Sequence, residues 1–204
     1  MTILPPLPGF PDAYFVEDVA VITPEIAVVT NPGALARRGE IEYIEQILAE
    51  FRLLARIQPP GTLDGGDVLA IGNQYYIGVS ARTNEQGARQ LSHILQGHGH
   101  SCIILPVRGG LHLKSDISYI GRNTLLLTKT LAGSAAFDQY EKILVNQEEV
   151  YAANSLLIND HLLVPKGFPK TRSALLETKF DIIEVETSEL QKMDGGLSCL
   201  SLRF

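Results

Sequence analysis

One short pattern returns four times along this chain and confines it to a repeat architecture. A polar residue opens a β-rich run, a tight turn follows, and a second β-rich run leads into a helix signal. The opening residues are Asp18, Asp67, Asp116 and Asn154, spaced by 49, 49 and 38 positions. Units of this size bury their apolar faces only against one another. The first has runs from Val19 to Ile22 and from Ile26 to Thr30, then Ile41, Ile44, Ile47, Leu48 and Phe51 at helical spacing. The second has Val68 to Ile71, the turn Gly72-Asn73, Tyr75 to Val79, and a helix carrying Ala88, Leu91, Ile94 and Leu95, with Thr83 and Gln86 at capping-box spacing. The third has Ile117 to Ile120, the turn Gly121-Arg122-Asn123, Thr124 to Thr128, and a weaker helix around Phe137, Tyr140, Ile143 and Leu144. The fourth has Ser155 to Ile158, Asn159-Asp160, His161 to Val164, and a helix after Lys170-Thr171-Arg172. In the tail, Leu200, Leu202 and Phe204 alternate with Ser201 and Arg203, the period of a half-buried strand that begins a fifth unit.

Units that succeed one another around a ring bring their strand entries to its centre. Glu17 and Asp18, Asp64 and Asp67, His112 and Asp116, and Cys199 would then surround one cavity. No charge run or Ser/Gly-rich linker divides the 204 residues, so residues 1–204 read as a single α/β domain. A net charge of −6 argues against nucleic acid or an anionic membrane, both of which need a basic footprint, and leaves a small molecule as partner. No apolar run approaches a membrane span, and the N-terminus lacks the basic and apolar regions of a secretion signal. Two cysteines do not make a secreted disulfide scaffold, so a reducing, cytoplasmic setting is expected.

Cys199 stands between the turn Asp194-Gly195-Gly196 and the alternating tail, where a chain can present a nucleophile at a cavity mouth. Taken alone it reads equally as a buried structural thiol. A histidine and a carboxylate in the same cavity change that, because an imidazolium beside a thiol favours thiolate and a carboxylate fixes the imidazole tautomer. His112 opens the third unit and fits that place. His98 and His100 form a polar His-x-His loop with no third ligand in view, which reads as solvated and not as a metal site. His93 and His161 read as structural. Asp12, Glu17, Asp18, Asp64 and Asp67 concentrate acid beside apolar strands, which suits a planar guanidinium. Arg37 and Arg82 occupy matching places before the helices of successive units, against the dipole preference, which suggests an anion such as a substrate carboxylate there.

Phe10-Pro11-Asp12 with Phe15-Val16-Glu17-Asp18, Arg37-Arg38-Gly39-Glu40, Ser80-Ala81-Arg82-Thr83-Asn84, Leu111-His112-Leu113-Lys114 and Asp194-Gly195-Gly196-Leu197-Ser198-Cys199 together resemble the dimethylarginine dimethylaminohydrolase family. This family belongs to the guanidine-modifying superfamily, with the arginine deiminases and amidinotransferases. The resemblance covers nearly the whole chain in order, and Phe-Val-Glu-Asp favours this branch over the deiminases. It implies a five-fold ββαβ propeller, the pentein fold, with the first module truncated at the N-terminus. It also implies Cys199 as nucleophile, His112 as general acid/base and Asp64 as its orienting carboxylate, where bacterial members can carry Glu. Glu17 and Asp18 would bind the guanidinium, Asp12 and the Met193 backbone the α-amino group, and Arg37 and Arg82 the α-carboxylate. The implied reaction hydrolyses methylated arginines to citrulline and an alkylamine through a thiouronium on Cys199, with no metal or organic cofactor. A deiminase-like guanidine hydrolase and an inactive arginine-binding protein are the alternatives.

Family members usually carry a further half-unit and a mobile lid before the Phe-Pro-Asp motif, whereas only Met1 to Gly9 precede it here. The tail strand would then present an unpaired edge beside Cys199, which predicts either a homodimer formed through that edge or an open, loosely held site.

Overall fold

Alternation along the middle strand of each unit sends successive apolar side chains into two different cores, and this builds the ring. A computed structural model describes residues 2–203. It contains four three-stranded sheets. They are β1 (Ala20–Ile22), β2 (Ile26–Val29) and β3 (Leu53–Arg56); β4 (Val68–Ile71), β5 (Gln74–Val79) and β6 (Ser101–Pro106); β7 (Ile117–Gly121), β8 (Thr124–Leu127) and β9 (Glu141–Leu144); and β10 (Leu156–Ile158), β11 (His161–Pro165) and β12 (Asp181–Val185). In every sheet the first two strands form an antiparallel hairpin and the third pairs in parallel with the second. A parallel partner requires a crossover. It is supplied by α1 (Ile41–Leu48) in the first unit and α2 (Glu85–Gly97) in the second, then by other segments in the third and fourth. Each unit is therefore ββαβ, as expected of the propeller.

In β5, Tyr75 and Ile77 enter the core shared with the first sheet, while Tyr76 enters the core shared with the third. In β8, Leu125 and Leu127 face the second unit and Leu126 the fourth. Strands covered on both faces read as nearly continuous apolar runs. On the outer face of the first sheet, Ala27 packs with Ile44 and Leu48 of α1, and Leu202 of the tail lies against this cluster.

Each first strand is entered through a short helical turn. These turns are 3₁₀ at Val16–Val19, Gly65–Asp67 and Gln147–Ala153, and the single α-turn α3 (Leu113–Asp116) in the third unit. A fifth turn, Ser198–Leu200, lies in the tail and packs against the first. The five turns close the hub of the ring, although only four sheets surround it among the described residues.

Several expectations change. The tail is no strand: Ser198–Leu200 is a 3₁₀ turn and residues 201–203 pair with nothing in a ladder, while Phe204 lies outside the described residues. The edge that was to support a homodimer is therefore absent. The unit that starts at Val16 has all three strands, and the tail adds a fifth hub turn. Ile143 and Leu144 belong to β9; the crossover before them is α4 (Lys129–Ala132) with a 3₁₀ turn at Ala135–Phe137. In the fourth unit the crossover is α5 (Pro169–Leu176), and α6 (Ser188–Gln191) leads toward the nucleophile loop. Asn84, not Thr83, caps α2, accepting from the Gly87 N–H at 2.8 Å. His100 is buried, not solvated, with Nδ1 2.5 Å from Asn73 and Nε2 3.1 Å from Glu25.

Shared cores make interface side chains the main source of stability. Leu126→Ala, at a fully buried site between the third and fourth units, should lower unfolding free energy by about 2–5 kcal/mol in chemical denaturation. Leu163→Ala, on the half-buried outer face of β11, should cost clearly less.

Candidate active site

All five hub turns carry polar side chains inward, where burial forces each to find a partner. The His112 ring nitrogen Nε2 lies 3.0 Å from Asp64 Oδ2 and 3.9 Å from Asp18 Oδ1. Burial works against the imidazolium, yet Asp64, Asp18 and Asp67 outweigh it and raise the His112 pKa. Asp64 itself is held low: burial would raise its pKa, but His112, the Gly33 N–H at 2.8 Å and Arg82 prevail. Gly66 permits this arrangement, because a Cβ there would stand 2.6 Å from His112 Nδ1 and 2.9 Å from Asp18 Oδ1. Its N–H donates to that oxygen at 2.9 Å.

Asp18 receives Arg37 Nη1 at 2.5 Å. The rest of the Arg37 guanidinium is also committed, to both Glu40 oxygens and to the carbonyls of Asp12 and Phe15. Burial opposes its charge, but Glu40 and Asp18 hold its pKa above the ordinary value. Arg82 differs. Its side chain is 30% exposed and its Nη1 stands 3.9 Å from Asp64 Oδ2. The two arginines at matching places in the repeat therefore do not present matching groups: Arg82 is open to an incoming anion and Arg37 is enclosed.

Cys199 lines a cavity of about 680 Å³ together with His112, Glu17, Lys114, Asp116, Tyr151 and the Gly109-Gly110 turn. The Gly196 N–H points at its sulfur at 3.4 Å. Beneath it, Glu17 accepts from Lys114 Nζ at 2.5 Å and from Ser198 Oγ at 2.8 Å. Burial, then Glu17 and Asp18, push the Cys199 thiol up to about 12, against smaller opposing effects of the Gly196 N–H and Lys114. This reverses the expected thiolate beside an imidazolium. Burial is the larger effect and the acids around the sulfur add to it, so both favour the neutral thiol.

Asp12 is half-buried, with its carbonyl on Arg37, and Met193 is half-exposed next to Asp194 of the cavity lining; neither of them lines the cavity itself. Asp18, Asp64 and His112 offer ligand atoms within 4.8 Å of one another, a spacing a cation could use. Arg37 already supplies positive charge to Asp18, and the three acids around His112 raise its pKa, so the cluster has cationic partners of its own. Sequence reasoning passed over Ser198, Lys114 and Glu40, although all three stand inside the quoted motifs. It used Asp67 mainly to set the repeat. Asp67 accepts from Ser80 and Thr83 hydroxyls, both at 2.7 Å, and from the Leu113 N–H at 2.9 Å, so it ties the Arg82 loop to the His112 turn.

A family model described as arginine deiminase matches residues 4–136. Over 206 residues, 100% of this chain and 81% of the relative, the sequence is 43% identical to N(G),N(G)-dimethylarginine dimethylaminohydrolase of Pseudomonas aeruginosa. The chain belongs to the arginine deiminase family, on its dimethylarginine dimethylaminohydrolase branch. The enzyme of the same name from Streptomyces coelicolor is 34% identical over 98% of this chain and 77% of its own. A solved structure of the Pseudomonas aeruginosa protein, a cysteine-to-serine mutant complexed with citrulline, superposes with a TM-score of 0.97 at 42% identity, covering 100% of this chain and 80% of that one. A solved dimethylarginine dimethylaminohydrolase adduct with S-methyl-L-thiocitrulline gives the same TM-score at 42% identity, covering 100% of this chain and 81% of its own.

A thiol held near pKa 12 makes a direct expectation. Alkylation of Cys199 in the free protein should keep accelerating from about pH 7 to pH 10 because the reactive thiolate is still a minor species throughout. A plateau below pH 9, followed by mass spectrometry of the Cys199 peptide, would contradict the burial of the sulfur beside Glu17 and Asp18.

Proposed function

We propose that this protein hydrolyses Nω-methylated arginines to citrulline and an alkylamine, with Cys199 as nucleophile, His112 as general acid/base and Asp64 orienting the histidine. The observation that carries the reading is a half-buried thiol sharing one cavity with a histidine bound to a carboxylate, in a setting rich in acid. The relatives named above, one complexed with citrulline and one trapped as a thiocitrulline adduct, support the substrate class.

The electrostatics give the order of events. A guanidinium entering beside Glu17 and Asp18 neutralises charges that help to hold the thiol protonated, so the thiol releases its proton to solvent and the substrate itself favours thiolate at the moment it is needed. Cys199 sulfur then attacks the guanidinium carbon. His112, kept charged by Asp64, Asp18 and Asp67, gives its proton to the departing amine, which leaves as neutral alkylamine, and a thiouronium remains on Cys199. The neutral imidazole next takes a proton from water, whose oxygen attacks the same carbon. The carbon–sulfur bond breaks and citrulline forms. Proton transfer of this kind contributes about 10²–10⁴-fold.

Arg82 takes the substrate α-carboxylate, while Asp12 and the Met193 backbone take the α-amino group. Arg37 was expected to share the carboxylate, but a ligand would have to displace Asp18 or Glu40 to reach it, and its part in this geometry is to fix Asp18. Two free cysteines suit the reducing cytoplasm, where we place the protein.

The test is citrulline formation from asymmetric dimethylarginine, monomethylarginine and unsubstituted arginine by the purified protein. Methylated substrates should be preferred, and Cys199→Ser should abolish turnover while ligand binding persists. Preference for unsubstituted arginine would move the protein to deiminase chemistry; full activity of the variant would remove Cys199 as nucleophile. Arg82→Ala should lower kcat/KM by about tenfold or more, and agmatine, which lacks the carboxylate, should be a poor substrate for the same reason.

A further inference from the structure

Asn154 is the fourth of the repeated strand-entry residues, and the only one that is an amide where the other three are carboxylates. It is buried, at 6% exposure, and its side chain uses both ends. Nδ2 donates to the Lys114 carbonyl at 2.9 Å and to Ser198 Oγ at 3.0 Å. Oδ1 accepts from the Ser198 N–H at 3.0 Å. Ser198 immediately precedes the nucleophile, and Lys114 lies two residues beyond His112. Ser198 Oγ in turn donates to Glu17, which also holds Lys114. One side chain thus spans the turn that carries the thiol and the turn that begins at the histidine. Gly196 lies so close that a Cβ there would stand 2.5–2.9 Å from the Asn154 amide atoms.

An amide suits this place for a chemical reason. Lys114 presents a carbonyl and Ser198 an N–H, so the spanning group must donate on one side and accept on the other. A carboxylate would meet the Lys114 carbonyl with no proton to offer and would add negative charge beside a thiol whose ionisation burial, Glu17 and Asp18 already oppose. We propose that Asn154 is a positioning residue that fixes the separation of Cys199 from His112 by holding Ser198 and Lys114 on one amide. The inference rests on the nucleophile and acid/base assignments above. Asn154 itself touches no reacting atom in this scheme.

The test joins two readouts. For Asn154→Ala and Asn154→Asp, kcat for methylarginine hydrolysis is measured beside the pH profile of Cys199 alkylation by iodoacetamide, which needs no substrate. Misplacement of a reacting group on the ångström scale costs ~10²-fold, so kcat should fall by roughly that factor while KM changes far less. Alkylation of the alanine variant should move the other way. A freed Ser198 loosens the buried loop and hydrates the thiol, and the profile shifts to lower pH. The aspartate variant keeps the shape and the acceptor for the Ser198 N–H, so it should stay folded even where alanine fails; its profile should shift upward because charge is added. Gly196→Ala should reproduce the loss of kcat in the wild type and cost much less on top of Asn154→Ala, because the clash is with the Asn154 amide.

A lowered melting temperature with unchanged kcat per folded molecule and an unchanged alkylation profile would overturn the proposal and leave Asn154 a structural residue. Additive effects of Gly196→Ala and Asn154→Ala would overturn it as well. If the wild type turned over no methylarginine while both alkylation profiles shifted as described, the function proposed above would fail and the positioning of Cys199 by Asn154 would stand.

Discussion

Burying five carboxylates at the hub of a ring creates a solvation cost that the surrounding structure must offset, and most of the site can be understood as that offset. Glu17, Asp18, Asp64, Asp67 and Asp116 all lie below one-tenth exposure. Each is answered differently: Lys114 and a serine for Glu17, an enclosed guanidinium for Asp18, an imidazole and a backbone N–H for Asp64, two hydroxyls and an N–H for Asp67. Asp116 has Thr128 on one oxygen and no protein partner on the other, and burial raises its pKa. An unanswered carboxylate would be expensive to keep ionised. The site is thus tuned by how completely each acid is compensated, and the sulfur feels the remainder.

Repetition supplies the scaffold and divergence supplies the chemistry. The same strand-entry position is Asp18 beneath an arginine, Asp67 fastening two loops, Asp116 with a half-satisfied carboxyl, and Asn154 bridging two turns. A ring built from such units brings unlike residues to one centre with equal geometric authority, since every first strand starts at the hub. The arginines show the limit of this logic. Arg37 and Arg82 come from corresponding places, yet Asp18, Glu40 and two carbonyls close one guanidinium in while the other remains near the surface.

Much of this was legible in the sequence. Hairpins announced themselves through turns such as Arg122-Asn123, where both residues adopt positive φ of 50° and 58°, and the central strands through uninterrupted apolar runs. The third strands were not legible. Leu53–Arg56, Glu141–Leu144 and Asp181–Val185 lie at sheet edges with no fully buried position, so neither alternation nor a continuous run marks them. The tail erred in the opposite direction: its alternation imitates a strand, but a ladder needs a partner and none lies alongside. Among the site residues, the types and their order pointed to the chemistry, whereas the ionisation state of the thiol depended on burial and on neighbours distant in sequence, which no local pattern records.

The sharing of cores between neighbours has a consequence for how this molecule breathes. The second and third sheets are covered on both faces by adjoining units, while the first has its own α1 and Leu202 on its outer face and the fourth leaves Leu163 half-covered. Local opening in such an array starts at units with one neighbour and travels inward. The tail ties the two terminal units together, through Ser198 on Glu17 and on Asn154, Leu202 against the first unit, and Arg203 on the Leu157 carbonyl. Amide protons of the inner sheets should therefore exchange slowest, and the fluctuation that unlatches the ring is the same one that disorders the nucleophile. Fraying and loss of reactivity become one event, gated at the hub.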